Sequence, residues 1–128
     1  MKTDHINCPV RPRVELTNPD EPLEMIGFTI ARYKFACKWM RENDDVLEIG
    51  CGEGFGCHFF AKHVASATGL DIDPETVARC NANYQRENLR YIEGDIINPP
   101  TTPKPSYDMV VSFEMIEHVD HESGKKMA

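Results

Sequence analysis

Four glycines on alternate residues, Gly50, Gly52, Gly54 and Gly56, follow directly on the apolar run Val46-Leu47-Glu48-Ile49. Beyond them Phe59, Phe60 and Val64 recur at helical spacing, so the pattern describes a strand, a tight turn and a helix over about Phe55–Val64. Glycine lets a backbone turn sharply and approach a ligand with no Cβ in the way. The N–H groups that open the next helix favour an anionic group such as a carboxylate or phosphate.

The same alternation repeats downstream. Ala67–Ile72 reads as a second strand, and Asp73-Pro74-Glu75 opens a helix with an N-cap aspartate, proline at the first helical position and a carboxylate in the first turn. That helix is expected to run to about Glu87, with Val77, Cys80 and Tyr84 on one face. Arg90–Glu93 is a third strand. Four prolines between Asn98 and Ser106 require a loop, and Asp108–Phe113 is a fourth strand, apolar enough to be buried on both faces. Upstream, Ile30, Tyr33, Cys37 and Met40 mark a helix over Ile26–Glu42, with Phe35, Ala36 and Trp39 widening its apolar stripe. Residues 1–25 read as an extended arm and 26–128 as a single domain. Strands alternating with helices imply right-handed crossovers and a parallel α/β sheet with helices on both faces.

The composition narrows the class. With 128 residues, 41% hydrophobic and 27% charged, the chain has the balance of an ordinary globular domain rather than a disordered one. No run of ~20 apolar residues is present to span a membrane. The opening Met1-Lys2-Thr3-Asp4-His5 lacks a secretory layout. A net charge of −7 disfavours nucleic acid as a partner held through its phosphates. The five cysteines contain no C-x-x-C, which suits reduced thiols in a cytoplasmic protein. Cys51, Cys57, His58 and His63 cluster in sequence, but their spacing suits no standard metal site and helix packing accounts for them.

Ligands of open parallel sheets bind beyond the carboxyl ends of the strands. The unusual residues collect there: the glycines after strand one, Asp71 after strand two, Asp95 after strand three, and Glu114, Glu117 and His118 after strand four. A carboxylate at Asp71, twenty-one residues after Gly50, can accept both hydroxyls of a ribose, so the pattern describes a nucleoside-containing cofactor. The dinucleotide fingerprint G-x-G-x-x-G fails, because its third glycine would fall on Phe55 or Cys57. Residues 48–54 read E-x-G-x-G-x-G instead.

The segments VLEIGCGEGFG, GLDID, YIEGD and YDMVVSFEMIEHV resemble, in order, the motifs of class I S-adenosylmethionine-dependent methyltransferases. The branch resembled contains small-molecule and polysaccharide methyltransferases and the O-methyltransferases of ubiquinone synthesis. The resemblance covers about residues 26–121. It implies a Rossmann-like doubly wound sheet, of which this chain supplies the N-terminal half with strand order 3-2-1-4. It also implies S-adenosyl-L-methionine as cofactor. Gly50 and Gly52 would lie against its amino-acid end, with Glu48 supporting the loop and the ammonium group. Asp71 would take the ribose hydroxyls, Ile72 would pack on the adenine, and Asp95 with the Ile96 backbone would meet the adenine amino group. Phe113 would line the sulfonium region, and Arg32 matches an arginine that reaches the cofactor carboxylate in some members.

Methyl transfer from a sulfonium is an in-line displacement, for which the protein supplies alignment and proximity. A base is needed only where the acceptor loses a proton, as a hydroxyl does. Glu117 and His118 are the catalytic candidates. In a helix Glu114, Glu117 and His118 share a face and resemble the E-x-x-E-H of ubiquinone O-methyltransferases and small-RNA 2′-O-methyltransferases, where such residues bind a metal. Capping and orientation of the next helix is the reading favoured over a metal site, and His118 as a lone base is the third.

The expected activity is methyl transfer to a small-molecule or sugar-type acceptor. The alternative is a cofactor-binding fragment without catalysis, completed by a partner chain; a nicotinamide-dependent oxidoreductase ranks third. Strand four, central in the family's seven-stranded sheet, would present an unpaired apolar edge here, open to self-association.

Overall fold

The computed structural model describes residues 15–97 and 106–113. Along the chain run α1 (Leu23–Cys37), β1 (Asp45–Ile49), α2 (Phe55–Ala61), β2 (Ser66–Asp71), α3 (Pro74–Asn83), β3 (Leu89–Glu93) and β4 (Met109–Ser112). The four strands form one parallel sheet in the order β3-β2-β1-β4. The register sets Val46 beside Ala67 and Met109, and Ile49 beside Leu70 and Ser112. The carboxyl ends of β1, β2 and β4 are therefore level.

Side chains of a strand alternate between faces, and the apolar residues divide accordingly. Val46, Ala67, Leu89, Tyr91 and Val111 join Tyr33 and Ala36 of α1, Cys57, Phe60 and Ala61 of α2, and Val77 and Cys80 of α3 in one core. Leu47, Ile49 and Leu70 form a second cluster on the opposite face, with Ile92, Ile96 and Tyr107 packed against it. All three described helices thus contribute to one face. The sequence anticipated helices on both faces; the cluster on the second is built, among the described residues, from strands and their flanking loops.

Three local expectations change. Helix α1 begins at Leu23 and ends at Cys37, and only part of its wide stripe is buried. Tyr33 and Ala36 face the sheet, whereas Phe35 and Trp39, four residues apart, turn to solvent and meet edge to face at 6.2 Å. Helix α3 stops at Asn83 because Tyr84 is extended, at φ −127°, with its ring against His58 at 4.9 Å. Strand β4 is covered on one face: Val111 is buried, but Val110, whose register partner Leu47 belongs to the second cluster, is 55% exposed.

The start of α3 is as its sequence dictates. The Asp73 carboxylate accepts from the Glu75 and Thr76 N–H groups and from the Thr76 hydroxyl. These bonds, the Thr76 hydroxyl foremost, hold its pKa below the usual carboxylate range.

Candidate functional site

The glycine-rich turn is fixed by strand ends on either side. Gly50 and Cys51 both donate their N–H groups to the Leu70 carbonyl, at 2.7 and 3.1 Å. Gly50, Gly52 and Gly54 have φ of 70°, 55° and 88°, the left-handed region in which a side chain is strained. Asp71, at the end of β2, reaches across the turn: one carboxylate oxygen accepts from the Gly52 N–H at 3.0 Å and the other from the Asp73 N–H at 3.1 Å. The expected ribose ligand is thus the group that holds the glycine loop.

The rim continues across the sheet. The Gly94 N–H donates to the Asp71 carbonyl at 2.9 Å, which sets Asp95 at the end of β3, and an Asp95 oxygen accepts from the Ile97 N–H at 2.9 Å. Ile72 stands 68% exposed beyond β2, and Ile96 packs on the second cluster. Phe113 follows the last β4 residue, whose register partner is Ile49, so it lies level with the glycine turn. Gly50, Gly52, Asp71, Ile72, Asp95, Ile96 and Phe113 therefore share one rim of the sheet.

The two remaining candidates sit elsewhere. Arg32 lies on the exposed part of α1, next to the buried Tyr33. Glu48 is only 1% exposed, within the helix-side core. Its carboxylate accepts from the Tyr33 hydroxyl and, at 3.2 Å, from the Cys57 thiol. Burial foremost, with the Glu48 charge beside it, pushes the Cys57 thiol well above its usual pKa and keeps it protonated. Glu114, Glu117, His118 and His121 lie outside the described residues.

Several residues that shape this site carried no distinct mark in the sequence. Tyr33 looked like one member of an apolar stripe, yet its ring contacts Phe55, Phe60 and Phe113 and its hydroxyl ties α1 to Glu48. The Tyr91 hydroxyl donates to the Gly54 carbonyl. Glu53, inside the glycine run, accepts from the Leu16 N–H at 2.9 Å and the Thr17 hydroxyl at 2.6 Å, docking residues 16–17 on the turn. Beside this contact a cleft of about 270 Å³ is lined by Thr17, Gly52, Glu53, Arg79, Cys80 and Tyr84. Among the described residues no group of three or more His, Cys, Asp or Glu is placed to hold a metal ion.

Comparison with known proteins gives the same family as the motifs. Residues 46–128 match the family described as a methyltransferase domain. A probable S-adenosylmethionine-dependent methyltransferase of Mycolicibacterium smegmatis is 44% identical over 75 residues, covering 59% of this chain and 28% of that protein. A ubiquinone biosynthesis O-methyltransferase of Vibrio parahaemolyticus is 40% identical over 76 residues, covering 58% and 32%. The chain thus spans under a third of the length of these curated relatives. In fold, it is similar to the YcgJ protein of Bacillus subtilis, with TM-score 0.66 at 24% identity over 74% of this chain and 43% of that one. Magnesium protoporphyrin IX methyltransferase of Synechocystis, solved with bound SAH, gives TM-score 0.66 at 18% identity over 80% and 49%.

Proposed function

This chain belongs to the methyltransferase-domain family, the class I S-adenosylmethionine-dependent methyltransferases, and on that premise we propose that its glycine rim holds S-adenosylmethionine for methyl transfer to a small-molecule or sugar-type acceptor. The observation that carries the reading is the Asp71 bond to the Gly52 N–H, which joins the ribose-type acid to a turn of left-handed glycines. A turn without side chains at Gly50 and Gly52, beside a carboxylate at the end of β2, fits a nucleoside linked to an amino acid.

When bound, the cofactor supplies an electrophilic methyl group on a sulfonium. Gly50 and Gly52 would lie against its amino-acid end, with Glu48, bonded to Tyr33 of α1 and Cys57 of α2, supporting the loop. Arg32 meets the cofactor carboxylate. Asp71 takes the ribose hydroxyls, Ile72 covers the adenine, and Asp95 with the Ile96 backbone meets the adenine amino group. Phe113, packed against Tyr33, would line the sulfonium side of the site. Glu117 and His118 would serve the acceptor, by orienting the helix beside the site or, where the acceptor is a hydroxyl, by taking its proton. No helix among the described residues is long and apolar enough to cross a membrane.

Titration calorimetry tests the cofactor assignment. S-adenosylmethionine should bind with a measurable heat and NAD should not. Asp71→Ala should weaken binding about 100-fold, the loss of a charge-assisted contact together with the loop tie. Absence of heat with S-adenosylmethionine overturns the reading.

A further inference from the structure

We propose that Glu53 is a positioning residue for the cofactor loop. Its carboxylate latches Leu16 and Thr17 onto the glycine turn, and the latch tightens when S-adenosylmethionine is bound. One carboxylate oxygen accepts from the Leu16 N–H at 2.9 Å and the other from the Thr17 hydroxyl at 2.6 Å. Both oxygens of a half-buried side chain are thus engaged, by donors 37 and 36 residues earlier in the chain. Hydrogen bonds to an ionised carboxylate are about twice as strong as those between neutral groups.

Charge attraction does not account for the contact. Residues 15–24 hold four carboxylates, Glu15, Asp20, Glu21 and Glu24, and no lysine or arginine. They approach a further carboxylate at Glu53, and what seats them is the pair of neutral donors. The segment is shaped for this by its own bonds. The Asn18 N–H donates to the Glu15 carbonyl at 3.1 Å, the Glu21 N–H to the Asn18 carbonyl at 3.2 Å, and the Asp20 N–H to Asn18 Oδ1 at 3.0 Å. Pro22 then opens α1, its carbonyl accepting from the Met25 N–H at 2.9 Å. The latch therefore ties the glycine turn to the start of α1.

The place of Glu53 makes this contact matter for the loop. It stands between Gly52 and Gly54, both left-handed, and the freedom of glycine must be removed for such a turn to keep one shape. The backbone on either side is held by other elements: the Gly52 N–H by Asp71, the Gly52 carbonyl by the Cys80 thiol, and the Gly54 carbonyl by the Tyr91 hydroxyl. Glu53 adds the attachment to residues 16–17. Asp71 and the latch thus hold adjacent residues, so the same few dihedral angles set both contacts. A ligand that fixes the turn favours the latch, and a closed latch leaves the turn already shaped for the ligand. This coupling rests on the proposed function; the latch itself does not.

The test is amide hydrogen exchange at Leu16, measured by nuclear magnetic resonance with and without S-adenosylmethionine, beside calorimetric titration with the same ligand. Glu53→Ala removes both acceptors, and Thr17→Val removes one donor while leaving the turn untouched. Leu16 should exchange about tenfold faster in Glu53→Ala and about threefold faster in Thr17→Val, as loss of two bonds and of one requires. S-adenosylmethionine should slow Leu16 exchange about tenfold in the parent and should bind Glu53→Ala about tenfold more weakly, because coupling between two sites is reciprocal. A contact with only a structural role would not respond to the ligand. Equal Leu16 exchange in the parent and Glu53→Ala overturns the latch. Equal affinity in the two proteins, with Leu16 exchange unchanged by the ligand, overturns the positioning role. A parent that gives no heat with S-adenosylmethionine, while Leu16 exchange still depends on Glu53, overturns the proposed function and leaves the latch standing.

Discussion

Gly56→Ala is expected to destabilise the domain by about 3 kcal/mol, as an overpacked core position does. The added Cβ would sit 1.9 Å from Tyr33 Cε1 and 2.4 Å from Cζ, inside the ring. The ring has little freedom to move aside. Phe55, Phe60 and Phe113 surround it at centroid separations of 4.9, 5.3 and 4.8 Å, and its hydroxyl is committed to Glu48. Helix α2 must shift instead, carrying Cys57 and Phe60 away from the sheet. In a domain of marginal stability, roughly 5–15 kcal/mol, the midpoint of thermal unfolding should fall by about 15 °C. Gly27→Ala is the control. It lies in α1 with nothing within 4 Å of the added carbon, so it should stabilise by up to about 1 kcal/mol. Melting curves of the two variants decide the matter, and a Gly56→Ala midpoint equal to that of the parent would dismiss the close packing of Tyr33. Because the clash is with one ring, Gly56→Ala and Tyr33→Ala should be non-additive, the pair costing less than the sum.

Glu48→Ala should also cost about 3 kcal/mol, for a different reason. It removes the acceptor of the buried Tyr33 hydroxyl and Cys57 thiol and leaves an opening among packed groups. Glu48→Gln keeps the shape and one carbonyl oxygen for Tyr33, and should lose only about 1 kcal/mol. Chemical denaturation of the three proteins checks the order. Equal stability of the alanine and glutamine variants would mean that the hydrogen bonds at Glu48 contribute nothing. Titration of the glutamine variant with S-adenosylmethionine then isolates the effect of the carboxylate's charge on the cofactor from its effect on the fold.

The strands were legible in the sequence because β-branched and apolar runs are bounded by glycine, proline and acid at each end. Val46–Ile49 and Ala67–Asp71 lie where those runs lie. The strand order came from the family motifs and is what the sheet has. Burial of particular residues was less legible. Phe35 is as apolar as any core residue, but its place around α1, two residues from Tyr33, directs it away from the sheet, and Trp39, just past the end of that helix, packs on it in solvent. Val110 has the composition of a two-sided strand, and its exposure depends on what covers the second face. The positions of the rim residues from Gly50 to Phe113 were legible because they terminate strands, which is where the sheet has them. Tyr33 and Tyr91 were not, because their contacts are with partners 15 and 37 residues away across the fold. Sequence spacing carries no record of such contacts.

The sheet register also sets an order of assembly. Strand β1 pairs with β2 across 21 residues, from Val46 to Ala67, and β2 with β3 across 22, from Ala67 to Leu89. Strand β4 returns to β1 across 63, from Val46 to Met109. Closing the longer loop costs about 1 kcal/mol more in chain entropy, and non-local pairing slows folding. During synthesis β1, β2 and β3 can associate while β4 is still being made. Among the described strands β4 is the last to pair, and it brings Phe113 against Tyr33, so the rim of strand ends is completed only after the other three strands have associated.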